Sequence, residues 1–220
     1  MVFPMIQAAI FDMDGLIVNS EPFWQDAQLA VLSELGVQLT RQDTIDTTGI
    51  RIDQIVKHYY ETQGWQGPSC DQVCDMILDK VIELVAIHKP IMPGVIHALE
   101  LCKAANLRIA LASSSPLRLI ETTLKALDLE DWFEQCHSAE HLKYGKPHPE
   151  VYLNTADSLG ISPENCVALE DSFTGLLAAK AAQMRTIVVP EHAVADQARW
   201  VISDVKLTSL NELTTEILTR

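Results

Sequence analysis

Five short apolar runs constrain the fold of this chain more than any other feature. They are MIQAAIFD (5–12), LRIALAS (107–113), FEQCHSA (133–139), CVALED (166–171) and RTIVVP (185–190). They hardly alternate between apolar and polar residues, as expected of strands covered on both faces. Helical patterns separate them: 94–107 before the second run, 116–129 after it, 149–160 ahead of the fourth, and 172–184 between the last two. Strand and helix alternating in this way predict an α/β fold built on an open, mostly parallel sheet.

One stretch breaks the rhythm. From Ser20 to about His88 the sequence holds helical patterns only: SEPFWQDAQLAVLSELG with Ser20 as N-cap and Gly36 as its stop, then 51–64, then 69–89 with Ser69 as a second cap. A helical block placed just after the first strand predicts an inserted domain at 19–89, with the core formed by 1–18 and 90–220. The crossings fall near Leu16–Asn19 and Lys89–Pro93.

Composition narrows the partners. The 220 residues carry a net charge of -14 and no block of Lys or Arg, which argues against nucleic acid and anionic membranes. A phosphorylated substrate would be repelled at long range, so binding one requires a local positive site. Five cysteines, at 70, 74, 102, 136 and 166, include no CxxC pair and read as reduced thiols. No run reaches the roughly 20 apolar residues of a membrane span, and MVFPM is not an export signal. A cytoplasmic monomer is expected.

In open parallel sheets ligands bind beyond the carboxyl ends of the strands. The first run ends in Asp12 and Asp14, which share a side because strand side chains alternate, and Gly15 permits a sharp exit. The second ends in Ser113, Ser114 and Ser115, where a hydroxyl and backbone N–H groups can hold an anionic oxygen. The fourth ends in Glu170 and Asp171, and Lys143 and Lys146 precede a proline-started helix. Each alone has an ordinary explanation: an exposed turn, a helix cap, a solvated lysine, acids at a helix entry. Together they place carboxylates, hydroxyls and an ammonium at neighbouring strand ends. Carboxylates without thiols select a hard divalent cation, with Mg²⁺ the best fit.

These segments, FDMDG, Ser113 in LASSS, Lys146 in GKPHP and Glu170-Asp171 in ALEDS, resemble the four motifs of the haloacid dehalogenase superfamily of phosphohydrolases. The resemblance spans essentially the whole chain. It implies a Rossmann-like parallel-sheet core with an inserted helical cap domain. SEPFW, TTGIRID, LASSSP, KPHPEVY and ALEDS are most similar to the bacterial branch acting on 2-deoxyglucose 6-phosphate and hexitol phosphates.

The resemblance also implies roles. Asp12 would attack phosphorus and become an aspartyl-phosphate, and Asp14 would protonate the leaving oxygen and later deprotonate water. Ser113, Ser114 and Lys146 would hold phosphoryl oxygens. Mg²⁺, with Mn²⁺ as a substitute, would take Asp12, the Asp14 carbonyl and Asp171, with Glu170 binding directly or through water. In the cap, Glu21, Trp24, Gly49 and Arg51 would contact the sugar, although an amphipathic core and a solvated helix start explain Trp24 and Arg51 equally well. The implied function is a Mg²⁺-dependent sugar-phosphate phosphatase. A sugar-phosphate mutase of the β-phosphoglucomutase type, or a phosphatase for another small ester such as phosphoglycolate, is the alternative. Asp14 argues against dehalogenation, which needs no such proton donor.

Overall fold

The computed structural model describes residues 5–47 and 50–219. The chain divides into two compact units, residues 1–19 with 91–220, and residues 20–90.

The first unit is built on six parallel strands: β1 (Ala8–Phe11), β2 (Arg108–Ser113), β3 (Gln135–Ser138), β4 (Cys166–Glu170), β5 (Arg185–Val188) and β6 (Val205–Lys206). Their order across the sheet is β3-β2-β1-β4-β5-β6. The order reverses beside β1, which pairs with β2 on one edge and β4 on the other. Phe11 is level with Leu111 and Leu169, so the residues just beyond these three positions emerge at one end of the sheet. All four residues of β1 are buried, which explains why the run lacks polar alternation.

Small residues let helices approach this sheet closely. Ala8, Ala110, Ala112 and Ala168 from the strands form one cluster with Val151, Tyr152 and Ala156 of α7 (Glu150–Ser158) and Ala178 and Ala179 of α8 (Phe173–Ala181). Here α1 to α9 are numbered in chain order. Helices α5 (Val95–Ala104) and α6 (Leu117–Ala126) follow the expected 94–107 and 116–129 patterns with frayed ends. The strand β6 and a closing helix α9 (Thr215–Thr219) fall where no element was expected. Two paired residues carry too little periodicity to register in sequence. What holds β6 is visible instead in its neighbour Asp204, whose Oδ2 accepts from Thr186 N and Oγ, both at 2.8 Å.

The second unit has helices and no strand among its described residues: α1 (Glu21–Glu34), α2 (Arg41–Asp46), α3 (Ile52–Thr62) and α4 (Cys70–His88). Helix α4 buries Val73, Ile77, Val81 and Val85, one stripe at helical spacing, and α1 and α3 pack against it. Ser69 caps α4 in a reciprocal box with Gln72, as expected. Ser20 does not cap α1 with its side chain. Its backbone is already helical (φ -90°, ψ -18°), whereas a capping hydroxyl needs the extended conformation at that position. The short α2 was not expected, although Thr40 and Asp43 form its capping box. No helix among the described residues is long and apolar enough to cross a membrane.

Candidate active site

The reversal of strand order beside β1 brings three loops to one place. Asp12 follows β1 and donates its own N–H to Leu169 O at 3.0 Å, which extends the β1–β4 pairing by one residue. Ser113 closes β2 and Glu170 closes β4. Lys146 reaches the same spot from the loop before α7. Its Nζ donates to Asp12 Oδ1 at 2.6 Å, Glu170 Oε1 at 2.7 Å and Ala112 O at 3.0 Å. The Lys146 side chain is 4% exposed and that of Glu170 1%, so both ion pairs are shielded from water.

Asp14 sits on the serine side of this centre. Ser115 Oγ donates to Asp14 Oδ2 at 2.6 Å, with Ser113 Oγ farther off at 3.4 Å. Ser115 N donates to Ser113 Oγ at 3.0 Å, and Ser138 Oγ donates to Ser115 O at 2.6 Å, which ties the serine loop to the end of β3. Two glycines make room for the carboxylates. Gly15 has φ +79°, and a Cβ there would lie 1.9 Å from Asp171 Oδ2. A Cβ on Gly175 of α8 would lie 1.8 Å from Glu170 Oε1.

The structure therefore brings together Asp12, Asp14, Ser113, Lys146 and Glu170 as the sequence led one to expect, with Asp171 beside them and Ser114 half-buried in the serine loop. Lys143 is exposed, 5.1 Å from the Tyr144 ring, and stays apart. Ser115 was read only as part of the anion-holding loop, and two further contributors, Ser172 and Tyr152, were not singled out in the sequence. Ser115 bonds Asp14. Ser172 donates to Glu170 Oε2 through N (3.2 Å) and Oγ (3.0 Å). Tyr152, fully buried, donates from its hydroxyl to Glu170 Oε1 at 2.6 Å and lays its ring 4.8 Å from Lys146 Nζ. Its signal was a tyrosine among the small buried residues Val151, Thr155 and Ala156 of the helix that Lys146 precedes.

Charge is out of balance here. Burial pushes the Asp12 carboxyl up to about 8; Lys146 pulls against that, while the carboxylates of Glu170 and Asp14 add to it. Burial alone would depress Lys146, but Asp12 and Glu170 override it and hold its ammonium above the usual lysine range. One buried cation thus faces several acids. Asp12, Glu170 and Asp171 each offer an oxygen, all within 4.8 Å of one another, and none of the three brings sulfur or imidazole. An oxygen-only set with surplus negative charge fits a hard divalent cation.

The cap-side candidates lie in the helical unit. Glu21 opens α1 and Trp24 is half-buried one turn on. Arg51 precedes α3, with Nε and Nη2 donating to Asp53 at 2.9 and 2.6 Å. Gly49 lies outside the described residues.

The chain is similar over nearly its whole length to several known proteins. Over 214 residues the chain is 49% identical to hexitol phosphatase B of Escherichia coli K12, covering 97% of this chain and 96% of that protein. The crystal structure of CbbY from Rhodobacter sphaeroides in complex with phosphate superposes with TM-score 0.86 at 26% identity, covering 95% and 96% of the two chains. That of β-phosphoglucomutase from Clostridium difficile gives TM-score 0.83 at 25% identity, over 96% and 95%. Residues 9–189, from β1 to just past β5, match the haloacid dehalogenase-like hydrolases, and the chain belongs to that family.

Proposed function

We propose that this protein is a phosphoric monoester hydrolase that releases phosphate from small sugar phosphates, hexitol phosphates and hexose 6-phosphates such as 2-deoxyglucose 6-phosphate among them. The observation that carries this reading is the buried Asp12–Lys146–Glu170 triad beside Asp14, in a chain half identical to a hexitol phosphatase.

In this reading Asp12 is the nucleophile. A carboxylate oxygen attacks phosphorus, the bond from phosphorus to the sugar oxygen breaks, and Asp14 gives its proton to the departing alkoxide. Asp14 then takes a proton from water, whose oxygen attacks the same phosphorus and breaks its bond to Asp12. Phosphate and free Asp12 result. Lys146 and the serine loop at 113–114 hold the transferring oxygens, and Ser115 orients Asp14 through its 2.6 Å bond. The acids Asp12, Glu170 and Asp171, with the Asp14 carbonyl, would hold Mg²⁺ or, in its place, Mn²⁺. When bound, the cation offsets the charge of the carboxylates and of the phosphoryl group. In this reading the helical unit, residues 20–90, makes the choice of sugar through Glu21, Trp24, Gly49 and Arg51.

A panel of esters with Mg²⁺ tests this reading. Hexitol phosphates and hexose 6-phosphates should give higher kcat/KM than phosphoglycolate or nucleotides, and EDTA should abolish turnover. Undiminished activity in EDTA would remove the metal from the account. A mutase remains the second reading because of the β-phosphoglucomutase neighbour. Formation of glucose 6-phosphate from β-glucose 1-phosphate, in place of free phosphate, would favour it.

A further inference from the structure

Lys146 has three N–H bonds to give, and the three shortest contacts of its Nζ use them all: Asp12 Oδ1, Glu170 Oε1 and Ala112 O. It can grip a phosphoryl oxygen only by letting one of these go. Releasing a buried carboxylate from its donor is costly when nothing replaces the bond. Glu170 is the acceptor best supplied with others. Its Oε1 also accepts from Tyr152 OH at 2.6 Å, and its Oε2 from Ser172 N and Oγ. Tyr152 also lies under the ammonium itself, its ring 4.8 Å from Nζ and its hydroxyl oxygen at 3.4 Å.

We propose that Tyr152 is a positioning residue that lets Lys146 exchange Glu170 for the phosphoryl group. The phenol keeps Glu170 Oε1 bonded after Lys146 turns away, and the ring face keeps the ammonium paired during the turn. Glu170 thereby stays in place among the acids while Lys146 serves the substrate. Tyr152 touches neither substrate nor the reacting atoms, and this role rests on the reading of Lys146 as a phosphoryl-binding residue.

Tyr152→Phe separates the hydroxyl from the ring. With Mg²⁺ present, the variant should lose about tenfold in kcat/KM on a hexitol phosphate and bind orthovanadate about tenfold more weakly, as expected for one lost buried hydrogen bond near charge. Its thermal midpoint should fall by only a few degrees, since Lys146 and Ser172 still bond Glu170 and the ring still fills the core. A purely structural tyrosine would give the opposite split, a larger fall in the midpoint with vanadate affinity intact. A second measurement needs no variant. In a crystal structure of the wild-type protein with Mg²⁺ and vanadate, Lys146 Nζ should contact a vanadate oxygen and have left Glu170 Oε1, with the Tyr152–Glu170 bond retained. Lys146 still bonded to Glu170 there, or Tyr152→Phe kinetics within twofold of wild type, overturns the proposal. A wild-type protein that hydrolyses none of the esters and binds no vanadate overturns the parent reading along with it.

Discussion

The Asp12–Lys146–Glu170 centre at the strand ends and the stripe along α4 are both built from buried side chains, yet they obey different rules. At the centre each residue is fixed by identity. Lys146 must reach Asp12 and Glu170 at once, and Gly15 and Gly175 tolerate no Cβ against the carboxylates of Asp171 and Glu170. In α4, Val73, Ile77, Val81 and Val85 need only be apolar, near the right size and spaced by four. Chemistry fixes residue types; packing fixes a period. Disturbing the first should cost activity with little stability, and disturbing the second the reverse.

The widest separation comes from Asp12→Asn. Turnover should fall by about four orders of magnitude or more, because a neutral amide cannot act as the nucleophile. Circular dichroism and the thermal midpoint should stay close to wild type. Full turnover by a preparation free of wild-type enzyme would break the distinction at its strongest point. From the other side, Ile77→Ala leaves a cavity in a fully buried position and should cost about 2–5 kcal/mol in urea unfolding. Its kcat, read at a temperature where the variant stays folded, should change less than about threefold.

The smallest effect belongs to Asp204, a partly exposed carboxylate that bonds Lys180 and Thr186 beside the sheet edge. Burial would raise its carboxyl, but the bonds from Lys180 and Thr186 outweigh that and hold it below the ordinary 3.8. A depressed value in the folded state means stability that is present above the unfolded value and lost as pH falls through the folded one. Asp204→Asn should therefore lower stability by less than about 1 kcal/mol at pH 7, since the site is partly open to water. The gap from wild type should close below pH 3.8. A gap that persists there would mean that hydrogen bonding, not charge, holds β6.

The same contrast explains what could be read in the sequence. Motif residues at the ends of β1, β2 and β4 were legible because acids and serines directly after apolar runs are conspicuous, and parallel strands bring such ends together. Strands were legible as short unbroken apolar runs and helices from their periodicity, with ends displaced by up to three residues. Tyr152 and Ser172 were not, because a tyrosine in an apolar face and a serine at a helix start have ordinary roles, and only the distances to Glu170 distinguish them. Residues 191–220 were silent. Their two-residue strand is held by Asp204 across 18 positions in sequence, a contact that no local pattern announces.

The central claim is that Asp12 carries the phosphoryl group and Asp14 moves the protons. Incubating Asp14→Asn protein with Mg²⁺ and a hexitol phosphate, quenching in acid and mapping peptides by mass spectrometry tests it directly. One phosphoryl group should accumulate on the peptide containing Asp12, because transfer to Asp12 proceeds slowly while its hydrolysis lacks a base. Phosphate found on another residue, or steady release of phosphate with Asp12 never modified, would contradict it.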